Sequence, residues 1–162
     1  MMRGYILLVV IVTIYLILGA FNLFMKSSPE ISGWNGSVLC VVYADGRYWK
    51  IDEYGFLRDI ADASDILRYS VVSGVKLLGM RVADENMEVI RKLKSILNNP
   101  VTSEVSIEKK YVITVKGIVL YFQRWEDLLK YYDAFTKKIE HMAPRSSFFL
   151  HESGKLAILG GD

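Results

Sequence analysis

The chain has few of the residues on which most catalytic and metal sites depend. Its 162 residues include one cysteine, two histidines and three prolines. A single cysteine, Cys40, excludes an intramolecular disulfide and a zinc site built from cysteines. There is no Gly-rich phosphate loop, no histidine pair at metal-ligand spacing and no nucleophile set beside a base. We therefore predict a protein that is not an enzyme and has no metal and no cofactor.

An excess of charge of one sign is also lacking. Twenty Lys and Arg residues stand against eighteen Asp and Glu residues, which leaves a formal net charge of +2. Binding to nucleic acid depends on clustered positive charge. The balance therefore argues against a nucleic-acid partner.

One long hydrophobic run is present at the N-terminus. Tyr5 to Phe24 contains no charged residue, and about twenty helical residues match a hydrocarbon core of roughly 30 Å. A cleaved signal peptide is an alternative, but its apolar core usually has about 7 to 15 residues. A helix buried in a soluble core is another alternative, although the run has no polar face. The run predicts a single transmembrane span.

The charges beside the span predict its orientation. Arg3 precedes the span, whereas Lys26 and Glu30 follow it, and the positive-inside preference places the N-terminus in the cytoplasm. The predicted organisation is a cytoplasmic tip and transmembrane anchor over residues 1–25, a linker over residues 26–34, and an extracytoplasmic domain over residues 35–162.

Alternating hydrophobicity predicts that this domain contains a mainly antiparallel sheet. SVLCVVY, residues 37–43, has apolar residues on both faces, as an interior strand does. Cys40 is predicted to be a small apolar filler in that strand. The Asp45-Gly46 pair suits a two-residue hairpin turn. After Pro100, three alternating stretches predict a meander whose last two strands meet at Lys116-Gly117.

Helical periodicity predicts two or three helices packed on this sheet, and so an α+β fold. Residues 84–100 predict one helix that Asp84 caps and Pro100 ends, and its basic residues predict a solvated face. A second helix begins at Trp125, and residues 61–70 predict one helical turn. The second helix has one apolar stripe that is predicted to pack on the sheet, formed by Trp125, Leu128, Leu129, Tyr132, Phe135, Ile139 and Met142.

The end of the chain predicts a last hairpin that turns at Ser153-Gly154. A terminal strand is often the edge of a sheet, and an edge strand leaves N–H and C=O groups that another chain can pair with. The alternative, an interior or covered last strand, stays open at this point.

Four stretches resemble one family when they are taken in order. They are VVYADGRYWKIDEYGFL (41–57), SVVSG (70–74), YVITVKGIVLYFQRWEDLLKYYDAF (111–135) and SFFLHESGKLAIL (147–159). Behind one N-terminal span, they are similar to the extracytoplasmic β-domain of the bacterial cell-division proteins FtsQ and DivIB. The resemblance covers about Ser37 to Leu159, and the family's membrane-proximal POTRA domain has no room in the short linker.

The resemblance implies a non-enzymatic divisome component in the bacterial inner membrane. It implies that the β-domain binds the FtsB–FtsL pair and helps to regulate the septal peptidoglycan synthase. In the family, a partner adds a strand to the C-terminal edge. That site corresponds here to Leu150, His151, Ser153, Gly154, Lys155, Leu156, Ala157, Ile158 and Leu159.

Two other functions stay open. The first is an anchored cell-envelope module that binds carbohydrate or a lipid headgroup, with Tyr131, Trp49 and Tyr48 as candidate ligand-binding residues. The second is an anchored hydrolase that uses His141 or His151.

Overall fold

The computed structural model describes residues 36–160, which have a mixed α+β fold. The strands in this range are β1 Cys40–Ala44, β2 Arg47–Ile51, β3 Leu57–Ile60, β4 Val71–Ser73, β5 Thr102–Ser106, β6 Tyr111–Thr114, β7 Val119–Phe122, β8 Ser147–Leu150 and β9 Leu156–Gly160. The helices are α1 Ala63–Arg68, α2 Asp84–Lys92, α3 Lys94–Leu97 and α4 Trp125–Thr136, and a 3₁₀ turn follows at Ile139–His141.

All nine described strands form one sheet in the order β3-β2-β1-β4-β5-β6-β7-β8-β9. Five of the eight neighbouring pairs are antiparallel, as the prediction of a mainly antiparallel sheet requires. The pairs β1–β4, β4–β5 and β7–β8 are parallel, and a helical connection joins the two strands in the last two of these pairs. The terminal strand β9 therefore lies at one edge of the sheet and β3 at the other.

The first strand is interior, as predicted. It lies between β2 and β4, and Val41 and Val42, which face opposite sides of the sheet, are both fully buried. The turn after it is also as predicted, because Asp45 and Gly46 both have positive φ angles, of 50° and 75°. Such angles belong to the two-residue turns that match the twist of a hairpin.

The main core lies between one face of the sheet and α2, α3 and α4. A row of side chains crosses the sheet on this face, and every member is fully buried: Val42, Val72, Val105, Val112 and Leu120. The pairing register places these residues side by side, so the row forms a continuous apolar floor for the helices.

The predicted helix over residues 84–100 is divided in two. At Leu93 the backbone leaves the helical conformation, with φ −86° and ψ 5°, and Leu93 is fully buried. The predicted Asp84 cap is wrong, because Asp84 is the first residue of α2 and its carboxylate pairs with Arg81 at 2.8 Å. The division gives four helices in residues 36–160 instead of the two or three predicted.

Helix α4 contacts the sheet through most of its predicted stripe. Leu128, Tyr132 and Phe135 are buried, whereas Leu129 is exposed. The Tyr132 hydroxyl lies 2.7 Å from the Thr102 Oγ1 at the start of β5. The helix ends at Thr136, earlier than predicted, and the stripe continues through buried Ile139 in the 3₁₀ turn.

Among residues 36–160, the cover on the opposite face of the sheet lies at one side only. Helix α1 packs there through Ile66 onto a small cluster formed by Val41, Ala61 and Val71. Farther along the same face, between β5 and β9, aromatic side chains lie in a row, and the Tyr111 and Tyr121 rings contact each other at 5.9 Å. The described helices therefore form one thick layer and one thin layer on the sheet.

The predicted span from Tyr5 to Phe24 and the predicted linker lie outside the described residues. Within residues 36–160, no helix has the length and apolar character needed to cross a bilayer.

Candidate partner-binding edge

The last hairpin of the chain contains the residues that the sequence suggested as a binding site. Strands β8 and β9 are antiparallel, with Leu150 opposite Leu156 and Phe148 opposite Ile158. The turn between them closes when the His151 N–H donates to the Lys155 carbonyl at 2.9 Å. The predicted Ser153-Gly154 turn is therefore confirmed, with a Gly154 φ angle of 77°.

The hairpin is attached to α4 through its turn. The Tyr131 ring lies so close to Gly154 that a Cβ atom at this position would be 2.7 Å from the ring. The Tyr131 hydroxyl donates to the Glu152 carbonyl at 3.3 Å. Arg124, which precedes α4, pairs with Asp127 and reaches Glu152 at 3.6 Å. These contacts fix the position of β9 beside the helix.

In the described part of the chain, the main chain of β9 has one side without a neighbouring strand. In an antiparallel pair, residues that exchange hydrogen bonds alternate with residues that do not. Because His151 bonds to Lys155, the register assigns the next hydrogen-bonded pair to Phe149 and Ala157. The N–H and C=O groups of Leu156 and Ile158 therefore point away from β8, toward the side where the sheet has no further described strand.

The side chains at the end of β9 are apolar and exposed. Leu156 packs against the main core near α4, but Ile158 is 76% exposed and Leu159 is 59% exposed. Ile158 lies on the same face as Phe148, so it extends the apolar floor of the sheet beyond the helices. A strand paired with β9 would cover this floor.

The other edge of the sheet is protected. The Leu57 N–H at the start of β3 donates to the Met80 carbonyl at 2.9 Å, so the loop between β4 and α2 covers this end of the strand. At the other end, the Ile60 N–H donates to the Asp59 carboxylate at 2.9 Å. Asp59 also pairs with Lys50 on β2. Charged side chains and local bonds of this kind protect natural edges from further pairing.

The nine predicted binding residues do not all face the open side. Leu150 is buried in β8, and His151, Ser153 and Gly154 lie at the turn. Lys155 bonds back to His151. Only the stretch from Leu156 to Leu159 runs along the edge. There Leu156 and Ile158 present outward main-chain N–H and C=O groups, and Ile158 and Leu159 present exposed side chains. The sequence could not show which main-chain groups point outward, because this depends on the pairing across the turn, where His151 bonds to Lys155.

The residues suggested for the two other functions lie apart. His141 ends the 3₁₀ turn before β8 and His151 follows β8, so the two histidines lie at opposite ends of the sheet. Tyr48 and Trp49 are adjacent on β2 and therefore face opposite sides. Tyr131 lies on α4, near the other edge of the sheet. The structure does not bring either set into one site.

Cys40 is the filler that the sequence predicted. Its side chain is fully enclosed in β1, and burial raises the pKa of its thiol to about 12. A thiol of this kind is not ionised near neutral pH and is therefore a poor nucleophile. In the part of the chain that the structure describes, no group of three or more His, Cys, Asp and Glu side chains could hold a metal ion.

Comparison with known protein families identifies a match over most of the described residues. A family model described as a domain of unknown function, DUF4894, matches residues 41–159. The match extends from the second residue of β1 to the penultimate residue of β9. No curated protein and no solved structure matches this chain.

Proposed function

Since the chain belongs to the DUF4894 family of domains of unknown function, we propose that it is a membrane-anchored scaffold that binds a partner protein by strand addition at β9. The observation that carries this proposal is the difference between the two edges of the sheet. The β3 edge is covered by a loop and by charged side chains, whereas β9 presents main-chain groups and exposed apolar side chains.

Strand addition fits the chemistry of this edge. An incoming strand would bond to the outward N–H and C=O groups of Leu156 and Ile158, and these main-chain bonds supply affinity for many partners. Its side chains would cover Ile158 and Leu159, which are apolar and exposed, and burial of apolar surface favours association. The partner strand should therefore be apolar on the face that meets α4.

The resemblance to FtsQ and DivIB supplies the biological setting of the proposal. We place the scaffold in the divisome of the bacterial inner membrane, with Tyr5 to Phe24 as its single span and the sheet domain outside the cytoplasm. FtsB- and FtsL-like proteins are the proposed partners, and the proposed outcome is regulation of septal peptidoglycan synthesis. The scaffold itself catalyses nothing, and the separation of His141 from His151 supports this part.

A crosslinking experiment in living cells identifies what lies against β9. A photoreactive amino acid at Ile158 is expected to capture a small membrane-anchored division protein of the FtsB or FtsL kind. The same amino acid at Ile60, on the protected edge, is the matched control and should capture much less. Capture of cell-wall carbohydrate alone would contradict strand addition and favour the carbohydrate-binding function.

Proline substitution separates the main chain from the side chain. Ile158→Pro removes an outward N–H group that the hairpin itself does not use, and proline is tolerated on an edge strand. Ile158→Ala removes most of the side chain but keeps the donor. One hydrogen bond is worth about 0.5–1.5 kcal/mol, so the proline variant should bind the partner roughly 2- to 12-fold more weakly than the alanine variant.

Partner retention in a quantitative pull-down measures this difference, and circular dichroism confirms that both variants fold. Equal retention by the folded proline and alanine variants would mean that the Ile158 donor plays no part in binding.

A further inference from the structure

One end of the sheet, here named the basic end, carries five cationic side chains in three segments of the described chain. The described chain begins at this end, at Gly36, because β1 starts there, and it also finishes there at Gly160, because β9 is antiparallel to β8. The starts of β4 and β7 and the connection before β8 lie at the same end. The five cations in these segments are Arg68, Lys116, Lys137, Lys138 and Arg145.

Four of these cations lie on loops that touch one another. The Lys116 ammonium group is 3.4 Å from the carbonyls of Ile139 and Glu140 in the 3₁₀ turn. The Arg145 N–H donates to the Lys116 carbonyl. Lys137 and Lys138 immediately precede the 3₁₀ turn. The loops that carry the four cations are therefore continuous, and the Lys138 side chain also lines a small cavity with Leu150 and Leu156 beside β9.

Within residues 36–160, none of the five cations of the basic end forms an ion pair. Glu140 is the only acidic residue in the segments that carry them, residues 67–70, 115–117 and 137–146. The β2–β3 turn at the same end adds Asp52 and Glu53, but these carboxylates pair with Arg58 and Lys94. The basic face that the sequence suggested on α2 and α3 differs, because Lys92 pairs with Glu88 and Lys94 pairs with Glu53. The basic end thus has a local excess of positive charge in a nearly neutral protein.

Exposed apolar residues stand beside these cations. Leu67 is 89% exposed and is followed by Arg68, and Val115 is 65% exposed and is followed by Lys116. Leu67, Arg68 and Val115 line the same surface cavity. Cations that attract lipid phosphates and apolar side chains that enter the headgroup layer are the features of a surface that lies on a bilayer.

We propose that the basic end docks on the anionic headgroups of a phospholipid bilayer. The inference rests on the anchor in the proposed function, because eleven residues separate Phe24 from Gly36. A chain of that length extends at most about 40 Å, so a bilayer that holds the predicted span is within reach of the basic end. If this end of the sheet lies on the bilayer, strand β9 runs perpendicular to the membrane plane. Its free edge then stays open to a membrane-anchored partner.

Fluorescence quenching in vesicles tests the proposal on the full chain. An environment-sensitive dye is attached at Val115→Cys, and the chain is reconstituted with brominated lipid in vesicles of phosphatidylcholine, with or without phosphatidylglycerol. Cys40 is enclosed in β1 and is not labelled. We expect quenching at Val115→Cys when phosphatidylglycerol is present, and little quenching of a dye at Lys109→Cys, at the opposite end of the sheet.

A pair of charge variants tests the role of the cations. Lys137→Gln with Arg145→Gln removes two charges from the basic end. Each cation near an anionic surface is worth a factor of roughly five in binding, so the docked fraction at Val115→Cys should fall steeply. The matched control, Arg47→Gln with Lys155→Gln, removes two charges at the opposite end and should leave the quenching unchanged.

Two outcomes overturn the inference in distinguishable ways. In the first outcome, the chain stays in the vesicles through alkaline carbonate extraction, but the dye at Val115→Cys is quenched no more than the dye at Lys109→Cys. Such a chain has an anchor but does not dock. A chain that leaves the vesicles altogether has neither docking nor the proposed anchor.

Discussion

At the scale of single residues, Asp52 shows how one side chain fixes a turn. Its carboxylate accepts hydrogen bonds from the Tyr54 and Phe56 N–H groups at 2.9 and 3.0 Å, and the Arg58 Nε donates to it at 2.8 Å. Burial opposes ionisation of this carboxyl, but the bonds from Arg58, Phe56 and Tyr54 outweigh it and lower its pKa below the ordinary value. The charged form therefore stabilises the turn after β2.

The lowered pKa of Asp52 makes stability depend on pH in a definite direction. The unfolded chain binds the proton more tightly, so the stabilisation is complete near neutral pH and is lost as the pH falls below about 5. Asp52→Asn should lower the free energy of unfolding at pH 7 by about 1.5–3 kcal/mol. Urea unfolding at a series of pH values measures the effect.

The matched control for this prediction is Asp45→Asn, which changes an exposed turn carboxylate to a residue that also tolerates positive φ. This variant should keep the acid sensitivity of the wild type. An Asp52→Asn variant that lost as much stability in acid as the wild type would show that another carboxyl is responsible.

At the scale of elements, hairpin turns are where short-range sequence is most informative. The Asp45-Gly46, Lys116-Gly117 and Ser153-Gly154 turns were all predicted, because each glycine supplies the positive φ angle that the turn requires. The space around each glycine depends on the tertiary structure and differs between the hairpins. No atom lies within 4 Å of a Cβ placed at Gly46, whereas one at Gly154 would meet the Tyr131 ring.

This difference predicts unequal effects of the same substitution in two hairpins. Gly46→Ala adds only backbone strain and should destabilise the fold by about 1–2 kcal/mol. Gly154→Ala adds the same strain and also displaces Tyr131, so we expect a larger loss, which thermal unfolding would measure. It should also weaken partner capture at β9, because the Tyr131 contact holds the hairpin against α4. Equal losses for the two variants would contradict this role of Tyr131.

Helix boundaries are less well determined by the sequence. Apolar residues keep helical spacing on both sides of Leu93, so periodicity alone predicts one helix. The backbone turns at Leu93 while its side chain stays in the core. Packing on the sheet decides this break, and such tertiary effects are absent from a local pattern.

At the scale of the whole molecule, the proposed anchor is the part of the proposed function that fractionation tests directly. Tyr5 to Phe24 has no charged residue, and apolar residues at the centre of a span each favour insertion by about 0.3–0.6 kcal/mol. We predict that the full chain remains in the membrane fraction after alkaline carbonate extraction. Deletion of residues 1–34 should release it into the soluble fraction.

Mass spectrometry of the purified protein decides between this anchor and a cleaved signal peptide. An intact N-terminus in the membrane fraction is the expected result. A mature chain that begins near Gly19-Ala20 or later, and is extracted by carbonate, would contradict the anchor.

The sequence by itself determined the turns, most strands, the apolar stripe of α4 and the presence of a last hairpin, because these depend on backbone preferences and on periodicity over a few residues. Only the tertiary structure decided that β9 is the open edge, that Leu156 and Ile158 present their main-chain groups there, and that Lys116 and Arg145 share a surface. These properties depend on strand order, register and the meeting of distant loops. Contacts between residues far apart in the chain fix all three, and no local pattern records such contacts.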